Sequence, residues 1–161
     1  TDQMPQLTNG QLSALTASQI VKLESADLAA LTTAQIVGIE LSDLALLSTA
    51  QIQGLTAAGP LQGLSSSQIA ALTATQLASF NTEQVAAITT AGIAALTTDQ
   101  VSNLKATQVA AMTTAQIGAI EAADTLVLTQ AQINSMSQEQ WNAISSTNRT
   151  AMVTAGKVAP Y

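Results

Sequence analysis

The chain has 161 residues and a net charge of −6; 47% of the residues are hydrophobic, 9% are charged and only 2% are aromatic. It contains no Cys and no His, which excludes disulfides, Cys/His zinc sites and histidine acid–base catalysis. The four basic residues are scattered at positions 22, 105, 149 and 157, too few to form the cationic surface that nucleic acids or anionic membranes require. Polar residues interrupt every apolar run well before about 18 residues, so no membrane insertion is expected.

An eight-residue repeat of the form Leu-Thr-x-x-Gln-Ile-x-Ala fills most of the chain. We interpret residues 1–6 as a lead-in, residues 7–145 as the repeat region and residues 146–161 as a degenerate C-terminal cap. The first octad begins at Leu7, and one extra residue enters near Gly59-Pro60 before the frame resumes at Leu64. The first position of every octad is apolar, and the sixth position is apolar in most. Such tandem self-similarity is typical of solenoids.

Each octad predicts a separate short helix. In one continuous helix, eight residues advance by about 800°, so the apolar stripe would drift by about 80° per repeat and could not stay buried. The second and fifth positions carry the capping box, as in Leu31-Thr32-Thr33-Ala34-Gln35-Ile36, where the Thr and Gln side chains satisfy free backbone N–H groups. The small eighth residue, such as Gly54, should let the chain turn and let neighbouring coils approach closely.

Alternate octads differ in regularity, which suggests a longer structural unit. The octads starting at 15, 31, 47, 64, 80, 96, 112, 128 and 144, here called the regular octads, keep a capping residue at the second position. The others, here called the variable octads, include Glu-x-x-Asp pairs and glycines. We therefore predict an all-α solenoid of 16-residue coils with two short helices each, one side constrained and the other free to vary. A β-solenoid is the alternative fold, although Ala, Gln and the capping boxes favour helix.

The ends of a solenoid should differ from its interior because nothing stacks on them. Arg149 and Lys157 occupy sixth positions near the C terminus, where the interior has apolar residues. Trp141, also at a sixth position, is expected to close the end of the core.

Two acidic pairs, Glu24/Asp27 and Glu40/Asp43, are candidate metal ligands. A 16-residue coil would stack them, and four carboxylates on one side could hold a hard cation such as calcium. The alternative is that these side chains face the positive ends of short helices and make the surface more soluble. No other metal site and no cofactor is predicted.

The octads resemble the Thr/Ala/Gln-rich tandem repeats, with segments such as Ala-Leu-Thr-Thr-Ala-Gln-Ile, of large bacterial secreted or cell-surface proteins with adhesin-like roles. The resemblance spans residues from Leu7 to about Ala143. It implies an extracellular or cell-surface location and identifies no functional residues.

Composition and pattern together argue against an enzyme, since the many Ser and Thr residues have no histidine base and occupy capping positions. We predict a non-catalytic structural or adhesive segment, a spacer or display rod, that is a monomer or associates end to end. The alternative is a binding module whose variable octads recognise a protein, a glycan or a cation.

Overall fold

The computed structural model describes residues 3–160, and within them the chain is built from short helices without any β-strand. This confirms the predicted all-α solenoid, and the β-solenoid alternative is wrong. The α-helices are α1 Asn9–Ser13, α2 Ala17–Ile20, α3 Ser25–Ala29, α4 Leu41–Leu44, α5 Thr49–Gln53, α6 Ser66–Ala71, α7 Ala74–Ala78, α8 Thr82–Ala87, α9 Thr90–Ala94, α10 Thr98–Asn103, α11 Ala106–Ala111, α12 Thr114–Ala119, α13 Ala122–Thr125, α14 Gln130–Asn134, α15 Gln138–Ala143 and α16 Ser146–Thr154. Three 3-10 segments occupy Met4–Gln6, Ile36–Gly38 and Pro60–Gly63.

Most of the α-helices begin at a predicted capping box. At α10, the Gln100 N–H donates to Thr97 Oγ1 over 3.2 Å, and the Thr97 N–H donates to Gln100 Oε1 over 2.7 Å. The same reciprocal arrangement begins the helices capped by Thr8, Ser48, Ser65, Thr73, Asn81, Thr113, Thr129 and Ser137. Thr32 and Gln35 form it too, but there a turn and a 3-10 segment follow instead of an α-helix.

Two extended residues separate one helix from the next. After α8, Ile88 has ψ 133° and Thr89 has ψ 154°, and α9 begins at the following residue. The Ile88 N–H closes the preceding helix by donating to Val85 O over 3.2 Å. The octad is therefore a short helix plus a two-residue joint that changes the direction of the chain.

Successive coils are related by three octads, and not by two. α7 packs against α10, α9 against α12 and α12 against α15. α7 begins at Ala74 and α10 begins at Thr98, 24 residues later. The extensive helix–helix contacts among the described residues all follow this three-octad spacing. The predicted 16-residue coil with two helices is therefore wrong.

The size of the coil follows from the need to bury two positions of each octad. A six-residue helix is only about 9 Å long, and two such helices packed ~8–10 Å apart enclose no interior. Three segments per coil surround a space that takes both the first- and the sixth-position side chains. Those side chains form one continuous core from Met4 to Met152.

Glycines at the eighth position allow the coils to approach closely, as expected. A Cβ on Gly54 would collide with the backbone carbonyl of Ser25, and one on Gly63 would collide with that of Thr33. Both contacts join neighbouring coils, so these positions have no room for a larger residue.

The N-terminal segment Met4–Gln6 packs as the end of an octad. Met4 is buried, and its carbonyl and that of Leu7 accept hydrogen bonds from Gln35 in the next coil.

The octad that begins at Leu55 contains the one extra residue of the repeat region, near Pro60. The 3-10 segment Pro60–Gly63 accommodates this residue and places Leu61 in the core.

Candidate functional site

Ten fifth-position glutamines, from Gln35 to Gln140, are buried, and each uses both ends of its side-chain amide. Gln100, which is 2% exposed, accepts the cap N–H of Thr97 at Oε1. Its Nε2 donates to Ile69 O over 3.0 Å and to Leu72 O over 2.6 Å, both in the preceding coil. Paired donation of this kind to carbonyls of the preceding coil is made by Gln35, Gln51, Gln68, Gln76, Gln84, Gln100, Gln108, Gln116, Gln132 and Gln140.

The acceptors are the carbonyls at the end of an earlier short helix. Ile69 is a sixth-position residue and Leu72 is the next first-position residue, 31 and 28 residues before Gln100. Short helices leave a large share of their carbonyls without an intrahelical partner. The glutamine satisfies these groups and ties two coils together with the same side chain. We call this set of side chains the glutamine ladder.

The ladder also fixes the orientation of each amide. If the Gln100 amide were reversed, its oxygen would face two carbonyl oxygens and its nitrogen would face the Thr97 N–H, so these three attractive contacts would become repulsive. Each hydrogen bond of this kind contributes a net ~0.5–1.5 kcal/mol to stability. Because the amides are buried and fully used, their role in the chain is cohesion between coils.

Sequence reasoning found one half of this role and missed the other. The pattern predicted that Gln Oε1 caps the helix, but it did not predict that Nε2 bonds to another coil. The missed signal lies in the octad that begins at Leu104, where Lys105 replaces the capping hydroxyl and yet Gln108 is retained. Gln108 Oε1 still accepts the Lys105 N–H over 2.8 Å, and Gln108 Nε2 donates to Leu77 O over 3.0 Å and to Phe80 O over 2.8 Å. The glutamine therefore keeps both of its roles in an octad that lacks the capping hydroxyl.

Several variable octads replace the glutamine and lose this link. Asp43 and Asp124 stand at fifth positions and are buried, with 8% and 5% exposure. A carboxylate has no proton to donate, and neither aspartate bonds to a carbonyl of the preceding coil within the described residues. Gly92, also at a fifth position, has no space for a side chain: an added Cβ would lie 2.9 Å from Ile88 Cγ2.

The predicted acidic ladder is not assembled. Glu24 and Asp27 belong to the α3 octad, and Glu40 and Asp43 to the α4 octad, but α3 packs against α5 and α4 against α6. The stacking that motivated a calcium site is therefore wrong, because packing partners are three octads apart and these pairs are two apart. Within residues 3–160, no group of three or more Asp or Glu side chains is placed to hold one ion. Calcium binding itself stays a prediction that titration can test.

Asp27 instead takes the place of the capping glutamine. Its Oδ2 accepts the Glu24 N–H over 3.0 Å. This backbone hydrogen bond favours the ionised carboxylate and lowers the pKa of Asp27 below its ordinary value. For Asp27, this geometry fits the alternative expectation, that the acidic side chains face the N-terminal ends of short helices.

Regular and variable octads do not form separate sides of the solenoid. Because three is odd, each regular octad packs on variable ones: α10, in a regular octad, contacts α7 and α13, both in variable octads. The predicted division into a constrained side and a free side is therefore wrong. Variable positions are instead spread around the solenoid.

The C-terminal end covers its own carbonyls. Arg149 Nη1 donates to Trp141 O over 3.1 Å and to Ile144 O over 2.9 Å, the sixth- and first-position carbonyls that a glutamine of a further coil would take. The Gln130 side chain binds the backbone of Val158 in both directions, at 2.8 and 2.9 Å. Trp141 is 8% exposed at its sixth position, as expected for a residue that closes the core.

Two shallow surface grooves lie in the described part of the chain. One, of about 460 Å³, is lined by Val37, Leu41 and the single charged residue Glu40; the other, of about 380 Å³, lies between Trp141 and Arg149. Neither groove pairs an acid with a base.

No helix within residues 3–160 has the length and hydropathy needed to cross a bilayer.

The family described as "ALTTAQ repeat" matches residues 20–57, 75–106 and 85–122. Together these matches cover more than half of the sequence. Their segments contain several of the capping boxes and several glutamines of the ladder. No curated protein matches the sequence.

Proposed function

Because the chain belongs to the ALTTAQ repeat family, we propose that it serves as a non-catalytic structural or adhesive segment, a spacer or display rod of a bacterial surface or secreted protein. The surface location rests on the resemblance of the octads to repeats of bacterial secreted proteins. The structural role rests on the glutamine ladder.

The observation that carries this proposal is that ten of the octads each use a buried glutamine to bind the preceding coil. The buried amides of Gln68, Gln100 and Gln132 each bond to a preceding coil, and no buried side-chain N or O atom within the described residues lacks a partner. Adding or removing whole octads changes the length of such a rod without changing its local contacts. A rod of this kind suits a role in which distance is the useful property.

The test places the chain between a cell-surface anchor and a reporter epitope on a bacterium. Deleting residues 88–111 removes three octads, or one coil, and should bring the epitope about 8–10 Å closer to the cell. Epitope capture by antibody-coated beads should then fall in steps as further coils are removed. Deleting residues 88–107 breaks the octad frame and provides the matched control, which should unfold.

The competing function, a binding module, predicts dependence on surface residues instead of length. Thr98 and Thr114 are exposed third-position residues outside the core. If replacing such residues by Ala abolishes attachment of the cells to protein or glycan surfaces, while deletion of a coil leaves attachment unchanged, the spacer proposal is wrong.

A further inference from the structure

The N-terminal end of the solenoid, unlike the C-terminal end, presents unused donors of the glutamine ladder. Gln11 and Gln19 are fifth-position residues in the first coil, and both are exposed. Their Nε2 atoms have no hydrogen-bond partner among the described residues, whereas the ten glutamines further along each bond to a preceding coil. We propose that this N-terminal face, formed by Gln11, Gln19 and the half-buried Leu7, Leu15 and Leu23, binds a further coil of the same octad repeat.

The two amides are already held in the orientation that binding requires. Gln19 Oε1 accepts from the Thr16 N–H over 2.9 Å, and Gln11 Oε1 accepts from the Thr8 N–H over 2.9 Å. These are the cap contacts that orient Gln100 in the interior. Because the oxygen of each amide is fixed at the cap, the nitrogen is directed as it is in the ladder. Little ordering remains to be done on binding, which favours association.

The leucines of the N-terminal face also lack the neighbours that cover the same positions in later coils. Leu7, Leu15 and Leu23 are first-position residues that are only partly buried. At the same position in later coils, Leu47 and Leu72 are each 3% exposed. The difference arises because later first-position side chains are covered by a preceding coil. A coil added to this face would bury the three leucines by the contacts already used elsewhere in the chain.

The chemistry of the occupant follows from the interior contacts. Gln51 Nε2 donates to Ile20 O and Leu23 O, so the occupant must present a pair of helix-end carbonyls spaced as in an octad. The N-terminal face of a second copy does not fit, because it would place its own glutamine Nε2 donors against the Nε2 donors of Gln11 and Gln19. In the chain's own C-terminal end, Arg149 already occupies the Trp141 and Ile144 carbonyls. The fitting occupant is therefore a coil of octads whose own C-terminal face is open.

The test adds such a coil to the full chain. A copy of residues 64–97 joined directly to residue 1 continues the frame, since Met4 packs as a sixth-position residue. In this fusion we expect hydrogen exchange of the Gln11 and Gln19 side-chain amides, followed by NMR, to slow by at least about tenfold. The melting temperature should also rise. The matched control carries four extra residues at the junction, which shifts the frame and should give neither effect.

Substitutions then separate the ladder from nonspecific stabilisation. Gln11→Glu with Gln19→Glu keeps the cap acceptors and removes the Nε2 donors. This double change should lower the melting temperature of the in-frame fusion and leave the unfused chain nearly unaffected. Equal exchange rates in the in-frame and shifted fusions would overturn the proposal. Self-association of the unfused chain that the double change abolishes would overturn it as well, since the occupant would then be a second copy.

Binding of a further coil at the N-terminal face would be the same wherever the protein acts. Failure of the fusion experiment would leave the display test unaffected, and a negative display result would leave the N-terminal face as described.

Discussion

Replacing Gln100 with Glu tests the glutamine ladder at one rung. A carboxylate oxygen can still accept the Thr97 N–H, so the helix cap is retained. The second oxygen, however, would face the carbonyls of Ile69 and Leu72, to which Nε2 donates over 3.0 and 2.6 Å. The substitution therefore removes the contacts between coils and leaves the contacts within the octad.

The magnitude follows from the two carbonyls that lose their donor. Leaving a buried acceptor unsatisfied costs about 1–3 kcal/mol. Ile69 O keeps the Leu72 N–H at 3.2 Å, which places its loss at the low end. Adding the cost of burying a charge, we expect Gln100→Glu to lower the free energy of unfolding by about 4 kcal/mol at neutral pH. For a chain of this size, this corresponds to a fall of roughly 8–16 °C in melting temperature.

Gln19→Glu provides a matched control. Gln19 makes the same cap contact but is exposed and has no partner for Nε2 among the described residues. Its replacement should change stability by less than about 0.5 kcal/mol, because surface changes without lost contacts are small. Urea unfolding followed by far-UV circular dichroism measures both variants.

The loss in Gln100→Glu should depend on pH. Burial beside two carbonyls raises the pKa of the introduced carboxyl above that of an unfolded glutamate. The folded state then binds more protons than the unfolded state, so the variant loses stability as pH rises through the raised value. Below the ordinary glutamate pKa the protonated carboxyl can donate to Leu72 O, and part of the stability should return. Equal melting of the two variants, or a loss in Gln100→Glu that does not change between pH 4 and 7, would refute the ladder.

Three further predictions concern close approach, capping and titration. Gly54→Ala should destabilise the chain by about 1–3 kcal/mol because the added methyl meets the backbone of the preceding coil. Gly10→Ala should instead stabilise the chain by about 0.5–1 kcal/mol, because a Cβ there meets only Thr8 Oγ1, at an ordinary contact distance of 4.0 Å. Thermal melts that rank the two variants the other way would contradict the packing. Thr97→Ala should lower the free energy of unfolding by on the order of 1 kcal/mol, because it removes the cap contact. Thr98→Ala, at an exposed position without a cap contact, should lower it far less. Equal losses of stability would show that the octad frame is misplaced. A backbone hydrogen bond lowers the pKa of Asp27, so this carboxylate should stabilise the folded chain above the ordinary aspartate pKa. The stabilisation should be lost as the pH falls through the lowered pKa. A carboxyl NMR titration of Asp27 with an ordinary midpoint would refute this contribution.

The sequence by itself determined the local structure of each octad. Capping depends on residues three apart, such as Thr97 and Gln100, and the contact forms wherever the two residue types recur. The first and sixth positions are apolar, so their burial could be predicted without knowing how the coils stack. The small residues at eighth positions likewise indicated close approach, and at Gly54 the backbone of Ser25 lies so near that a Cβ would not fit.

Only the tertiary structure decided how many octads make one coil. A repeat of nearly identical octads places leucine over leucine whether a coil contains two, three or four of them, so the pattern cannot distinguish these sizes. The size depends on the direction change at extended joints such as Ile88 and Thr89 and on the volume needed to bury two positions per octad. Coils of three octads separated the Glu24 and Glu40 pairs, mixed regular with variable octads, and brought Gln100 Nε2 to carbonyls 28 and 31 residues away, because each of these outcomes depends on which octads are neighbours in space.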